Sequence, residues 1–333
     1  MPERVPVAEP VFFPGGVADP GGRAGYIADG AGIVAAGLRA GQSLWRTERA
    51  QQPLISDGER LAAASVQPGR NALEVVVLDS TRWGEPLLVS DPVVLPEWVT
   101  VASERRDIFR MSAHAEGNRL VLEWEAHARY GGGAPPPPHI RSEAARHADG
   151  AAEVDLESGA VAPRDVKGEP RARTPPRRPP LEADDLAEPW LAGTSVARLV
   201  WGADNGEQVL TLDTSDMSTA DTGAVVELAR GQGLVAQVTP DGCHLFVYDE
   251  LAPVERDPWW VFSARTGRLV ATLTHDPGAG SPAILGTRAF YLVEGREDVA
   301  RRALRARDLP AGTLVWELQL AARRRAAAPR LRQ

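Results

Sequence analysis

Short runs with a period of two, frequent turn residues and a glycine-centred motif recurring at a near-constant interval together predict an all-β fold. Gly41 and Gly84 lie 43 residues apart, Gly223 and Gly267 lie 44 apart, and Gly267 and Gly312 lie 45 apart. Self-similarity at about 40–45 residues, with four short strands per unit, is the pattern of a β-propeller, in which each repeat is one small antiparallel sheet. The sequence therefore predicts a single β-propeller domain over residues 1–333, of six four-stranded blades with two proline-rich loop excursions. A seventh blade follows if the N-terminal "PVFFPGG" and the tail "APRLRQ" complete another sheet.

The first unit contains "DGAGIVAAGLRAGQSLWRTE", Asp29 to Glu48, which superficially resembles a dinucleotide-binding turn. A phosphate-cradling G-x-G-x-x-G turn needs a third glycine where the new helix packs on its strand. Ala35 stands there instead, and Gly37 comes two residues late. Only eight residues separate Gly32 from Gly41, Ile33 and Val34 among them, which leaves no room for a crossover helix. Read with a period of two, "GYIAD", "GIVAAGL" and "SLWRTE" are strand-sized runs joined by the turn sequences "GAG" and "RAGQ".

That strand–turn–strand unit recurs in "ALRARDLPAGTLVWELQL", Ala303 to Leu320. Ala35 and Ala306 each stand six residues before a glycine, Gly41 and Gly312, and Trp45 and Trp316 each stand four after it. A third copy holds Gly267, with Ala271 in the tryptophan position. A fourth has Asp155 four residues before Gly159, as Asp308 precedes Gly312. Weaker copies surround Gly223 and Gly84, the latter with one extra residue. The glycine supplies the positive φ that a hairpin turn needs. The tryptophan is read as lying flat between neighbouring blades, and the alanine as small because an aromatic of another blade sits on it.

The unit A-x-D-L-x-x-G-x-x-x-W resembles the repeat of quinoprotein-type propellers. That group covers pyrroloquinoline-quinone-dependent dehydrogenases and non-enzymatic relatives such as the outer-membrane assembly scaffold of Gram-negative bacteria. Gly312 and Trp316 carry the strongest match, with Asp308 in place; Gly41 and Trp45 follow, with Gly37 in the aspartate position. The enzymes of that class typically carry a vicinal cysteine pair, calcium-binding carboxylates and an export signal. This chain has one cysteine, Cys243, and no signal, so the resemblance implies the scaffold without the quinone site.

Along the chain, residues 20–50 give the first unit, and "PLISDGERLAAAS", "NALEVVVLDS" and "GEPLLVSDPVV" the second, with Asp57-Gly58 as a turn. The third opens with two long strands joined at Glu116-Gly117-Asn118, breaks into an excursion over 131–150 with a short helix in "HIRSEAARHA", and resumes at "AAEVDLESGAV". Residues 164–190 form a second insert rich in proline and charge, switching from Arg171, Arg173, Arg177 and Arg178 to a run of acids. "ARLVWGADNGEQVLTLDTSD" belongs to the fourth unit, "GLVAQVTPDGCHLFVYDE", with a turn at Pro240-Asp241-Gly242, to the fifth, and "SPAILGTRAFYLVEG" with the Gly312 motif to the sixth.

The chemistry-bearing patterns are sparse. A net charge of −8 argues against a nucleic-acid or anionic-membrane partner. None of the six histidines (His114, His127, His139, His147, His244, His275) falls in a zinc spacing, and Cys243 sits in the apolar run "CHLFVY", as an inert buried thiol would. No nucleophile elbow, phosphate loop or calcium loop is present. The residues singled out for interaction are the adjacent Trp259 and Trp260, one of which could face outward, and the four insert arginines. The expectation is a cytoplasmic, monomeric disc without cofactor or metal that binds partner proteins through its proline-rich excursions. The alternative is an enzyme or ligand binder with its site in the central channel.

Overall fold

The computed structural model describes residues 7–30, 32–66, 71–95, 108–127, 147–164, 188–189, 198–204, 206–213, 225–238, 244–249, 251–252, 258–264, 266–274, 276, 279, 282–294 and 302–321. Every regular element among them is a β-strand, and all pairings are antiparallel. The chain divides into two compact units, residues 1–169 with 320–333, and residues 170–319.

The first unit opens with β1 (Val7–Ala8), followed by a sheet of β2 (Val11–Phe13), β3 (Gly16–Ala18), β4 (Ala24–Asp29), β5 (Gly32–Gly37) and β6 (Ser43–Thr47) in chain order. Gly32 begins a strand, and β5 is buried along its whole length. "PVFFPGG" forms the β2–β3 hairpin of this sheet, so it extends the first unit instead of starting a seventh. The tail "APRLRQ" lies outside the described residues. The second sheet holds β7 (Gln52–Ser56), β8 (Arg60–Val66), β9 (Ala72–Asp79) and β10 (Glu85–Val89), and β11 (Val93–Val94) also pairs with β9. The third holds β12 (Ile108–Glu116), β13 (Arg119–His127), β14 (His147–Asp155) and β15 (Val161–Arg164), with β1 on the free edge of β12. Nothing local to Val7 or Ala8 announces that partner, about a hundred residues away. Of the expected helix "HIRSEAARHA", His147 and Ala148 are strand residues of β14, and the rest lies outside the described residues.

The second unit holds three four-stranded sheets. The fourth sheet has β16 (Glu188–Pro189), β17 (Arg198–Asp204), β18 (Glu207–Asp213) and β19 (Val225–Gly231). The fifth has β20 (Leu234–Val238), β21 (His244–Asp249), β22 (Pro258–Ser263) and β23 (Leu269–Thr274). The sixth has β24 (Ala283–Leu285), β25 (Arg288–Glu294), β26 (Arg302–Asp308) and β27 (Leu314–Leu320).

Successive sheets within a unit bury apolar side chains against each other. Leu61, Ala63, Val76 and Leu78 of the second sheet pack with Tyr26, Ile33 and Trp45 of the first, and other second-sheet residues, Leu73 and Val75, pack with Leu120 and Leu122 of the third. The fourth and fifth sheets share a third such layer, and the fifth and sixth a fourth.

Candidate functional site

The recurring motif closes the same four-residue hairpin loop in four sheets. The N–H of Gly41, Gly159, Gly267 and Gly312 donates to the carbonyl four residues earlier, on Gly37, Asp155, Ser263 and Asp308. The N–H of that earlier residue donates in return to the residue after the glycine, at Gln42, Ala160, Arg268 and Thr313. All four glycines have φ between 64° and 77°. Where the first position is aspartate, its carboxylate also caps the loop: Asp155 Oδ1 accepts from the Glu157 and Ser158 N–H groups at 3.0 and 2.8 Å, and Asp308 Oδ2 accepts from Ala311 N–H. Gly223 lies outside the described residues.

Gly84, Gly159 and Gly267 also sit where a side chain would crowd its neighbours. A Cβ on Gly84 would lie 2.7 Å from the Trp45 ring, one on Gly159 3.1 Å from the Val89 carbonyl, and one on Gly267 3.2 Å from Val226. Each of these neighbours belongs to the outermost strand of the preceding sheet in the chain. The repeat thus encodes a turn and a seam together.

Beside the turn lies a row of side chains. Tyr26, Ala35 and Trp45 are cross-strand partners, and over the buried Ala35 the two rings meet with centroids 5.7 Å apart. In the sixth sheet Phe290 pairs with Ala306, and the Phe290 and Trp316 rings are 5.8 Å apart. The alanine is small because aromatics of its own sheet close over it, which corrects the expectation that another blade supplies the ring. Trp45 then packs on the second sheet and donates its indole N–H to the Ser80 carbonyl.

Trp259 is buried, edge-on to Phe246 and to Tyr291 of the next sheet at 5.2 and 5.3 Å. Trp260 is partly buried on the opposite face, against the layer shared with the fourth sheet. Both indoles are therefore engaged in packing. Arg171, Arg173, Arg177, Arg178, His139, His275 and Cys243 lie outside the described residues. His147 pairs through its backbone with His127.

Two ion-pair clusters are fully engaged. In the sixth sheet Tyr291 donates its hydroxyl to Asp276, which also receives Arg307 and Arg305 at 3.1 and 3.2 Å. Arg307 reaches on to the Gly312 carbonyl. Burial pushes the Asp276 carboxyl up, but the Tyr291 hydroxyl and the arginines outweigh it and hold it below the usual aspartate range. Burial pushes the Tyr291 phenol well above its own range. On the polar face of the third sheet, Arg164 grips Glu116 through two hydrogen bonds of 3.1 and 3.2 Å, and His114 Nε2 stands 3.1 Å from the same carboxylate. Arg164, then His114, hold the Glu116 carboxyl low. Glu153 bridges Arg164 and Arg119. The lowered Asp276 and Glu116 carboxyls and the raised Tyr291 phenol are each moved away from neutrality, where a general acid or base would be poised. Among the described residues no three His, Cys, Asp or Glu side chains are grouped to hold a metal ion.

One exposed residue escaped the sequence reading. Trp83 has φ +59°, and it is the sole non-glycine with positive φ among the described residues. Its side chain is 76% exposed. A bulky residue in this conformation is a true outlier, costing about 1–2 kcal/mol. It occupies the turn between β9 and β10, where Gly84 N–H donates to Asp79 five residues back instead of four. The extra residue noted in the sequence is the signal that could have exposed it. The loop is firmly held: Asp79 Oδ1 accepts from Thr81 N–H, Thr81 hydroxyl and Arg82 N–H at 2.7–3.0 Å, Ser80 N–H donates to the Glu59 carbonyl, and Trp45 holds the Ser80 carbonyl. The Thr81 hydroxyl is the foremost cause of a lowered Asp79 carboxyl. Beyond the turn, β10 exposes Leu87 and Val89, 54% and 53%, with a bulge between Pro86 and Leu88.

No protein-family model and no curated protein matches the chain. Solved structures are similar at low identity. An apo structure of the isopeptidase AtxE2 is 12% identical over 95% of this chain and 52% of its own, with a TM-score of 0.49. TolB from Acinetobacter baumannii is 14% identical over 92% and 65%, with a TM-score of 0.34. The beta-propeller domain of the Trilobed protease from Pyrococcus furiosus, which has an open velcro topology, is 12% identical over 85% and 73%, with a TM-score of 0.29. The chain spans less than two thirds of the isopeptidase and TolB chains, at 52% and 65% of their lengths.

Proposed function

We propose that the chain is a single six-bladed propeller acting as a non-catalytic scaffold for protein–protein contact, with the Trp83 turn as its docking point. The repeated hairpin closure and the placement of motif glycines on the preceding sheet support the propeller. The observation that carries the function is Trp83 itself. A strained, solvent-facing indole on a tightly bonded loop gains nothing from folding, and strain of this kind persists where a surface is used. A preorganised aromatic loses little freedom on binding, which is why tryptophan is over-represented among the residues that dominate interfaces. The extruded Leu87 and Pro86 spoil β10 as a template for strand addition, so contact falls to side chains.

The test is affinity capture from a lysate with the wild-type chain and Trp83→Ala side by side, checked by thermal unfolding. The expected result is a partner recovered with the wild type and lost with the variant, at unchanged melting temperature. Identical recovery with both proteins would remove the docking point.

A further inference from the structure

We infer that Phe109 and Trp124 form a seat for a polyproline II segment, and that the chain's own Pro135–Pro138 fills it. Phe109 on β12 and Trp124 on β13 lie on one face of the third sheet, diagonal to each other across the ladder. Their rings are stacked, 19° from parallel with centroids 6.4 Å apart. Both are partly buried against the layer shared with the second sheet, so each keeps accessible surface. A Cβ on Gly150 of β14 would stand 2.4 Å from the Trp124 ring, so glycine there makes room for the indole. Among the described residues the Trp124 indole N–H forms no hydrogen bond.

The points where the chain leaves and re-enters the third sheet select the occupant. β13 ends at His127, three residues after Trp124, and β14 starts at His147, three before Gly150; the two histidines are ladder partners. Residues 128–146 between them contain Pro135–Pro138 and lie outside the described residues. Seven residues, 128–134, join His127 to the proline run, and eight, 139–146, join the run to His147. At about 3.3 Å per extended residue either arm can span about 20 Å, against about 10 Å from His127 back to Trp124. Four prolines in a row favour the polyproline II helix, whose carbonyls have no internal partner. Its rise of about 3.1 Å puts residues two apart about 6.2 Å along the axis, which matches the ring spacing. Proline rings can rest on the two aromatics while a carbonyl accepts from the indole N–H, the mode in which aromatic surfaces take proline-rich segments. The short tether holds the run at an effective concentration of about millimolar, so even a weak seat is filled.

The test uses the full chain carrying Pro135→Gly, Pro136→Ser, Pro137→Gly and Pro138→Ser together, which alters no described residue. The readout is the Trp124 indole N–H signal in proton–nitrogen correlation spectra, assigned through Trp124→Phe. The fourfold replacement is expected to shift this signal. Adding the peptide GAPPPPHI, the sequence of residues 133–140, should return it, and should leave the wild-type signal in place. The same peptide with its prolines replaced by alanine should be at least about tenfold weaker, because it is no longer preorganised. An unchanged melting temperature shows that the replaced chain folds.

A Trp124 signal that ignores both the replacement and the peptide overturns the seat. So does a shift that the peptide does not reverse, or an equal response to the alanine peptide. If the peptide moves the signal in both proteins and the replacement does not, the seat is empty in the intact chain. The assignment to Pro135–Pro138 is then overturned in favour of a proline-rich partner.

Discussion

In the first sheet the row facing the next sheet runs Tyr26, Ala35, Trp45; in the fifth it runs Phe246, Val261, Ala271. The motif glycine stands at the same offset in both. Where the outer strand carries the indole, the middle strand is reduced to a methyl group; where the outer strand has the methyl, the middle strand grows to valine. The fifth sheet then places its indole two residues earlier on β22, as Trp259, where it meets Tyr291 of the sixth sheet. Close packing fixes the volume of a seam, not the strand that supplies it. In the third sheet the equivalent row runs Val121, Glu153, Ala162, and Glu153 is tied to Arg119 and Arg164. There the repeat keeps its turn and gives up its apolar row.

The comparison breaks most visibly if either indole is removed. Trp45→Ala and Trp259→Ala should each cost about 3–5 kcal/mol in denaturant unfolding, the range for a buried tryptophan. A loss below about 1 kcal/mol for one of them would mean that its seam is held by something else. The sharper test exchanges the two solutions. Ala271→Trp alone overpacks the fifth sheet and should cost about 1–3 kcal/mol. Adding Val261→Ala should return part of that loss, as a favourable coupling of about 0.5–3 kcal/mol in a double-mutant cycle.

The glycines rank next. Gly84→Ala meets both a positive φ and the Trp45 ring, and should cost more than Gly312→Ala, whose nearest neighbour stands at 3.5 Å. The latter isolates backbone strain at about 1–2 kcal/mol. Equal losses would show that the approach to Trp45 relaxes freely.

Arg23, gripped by Asp19 in the β3–β4 turn, donates to the Gly58 carbonyl in the β7–β8 turn at 3.1 Å. Acid should loosen this link between the first two sheets. Burial raises the Asp19 carboxyl, but the N–H groups of Arg23 and Gly21 and the Arg23 guanidinium prevail and lower it below 3.8. Because the folded value is depressed, its contribution is present above the unfolded value and is lost as pH falls through the folded one. Asp19→Asn should therefore flatten the acid limb of the stability–pH curve while lowering stability at neutral pH. The smallest effect belongs to Trp83→Gly. Relief of left-handed strain and the greater unfolded-state freedom of glycine oppose each other, leaving a net change within about 1 kcal/mol by thermal unfolding.

Asp29 to Glu48 was legible as strands because the eight residues between Gly32 and Gly41 leave no space for a crossover helix. The turn glycines were legible because positive φ is a local demand. Trp259 was not, since both neighbours on a strand look alike until the facing sheets are known. Trp83 announced itself only as a one-residue misfit in the repeat.

By itself the sequence determined the strand period, the turn positions and the interval between repeats, because each is a property of a few consecutive residues. Which aromatic lies over Ala35, which strand supplies the seam indole, where β1 finds its partner and which tryptophan faces water were decided only when separate strands came together. Those outcomes depend on volume and hydrogen bonding across chains of contacts that no local stretch contains.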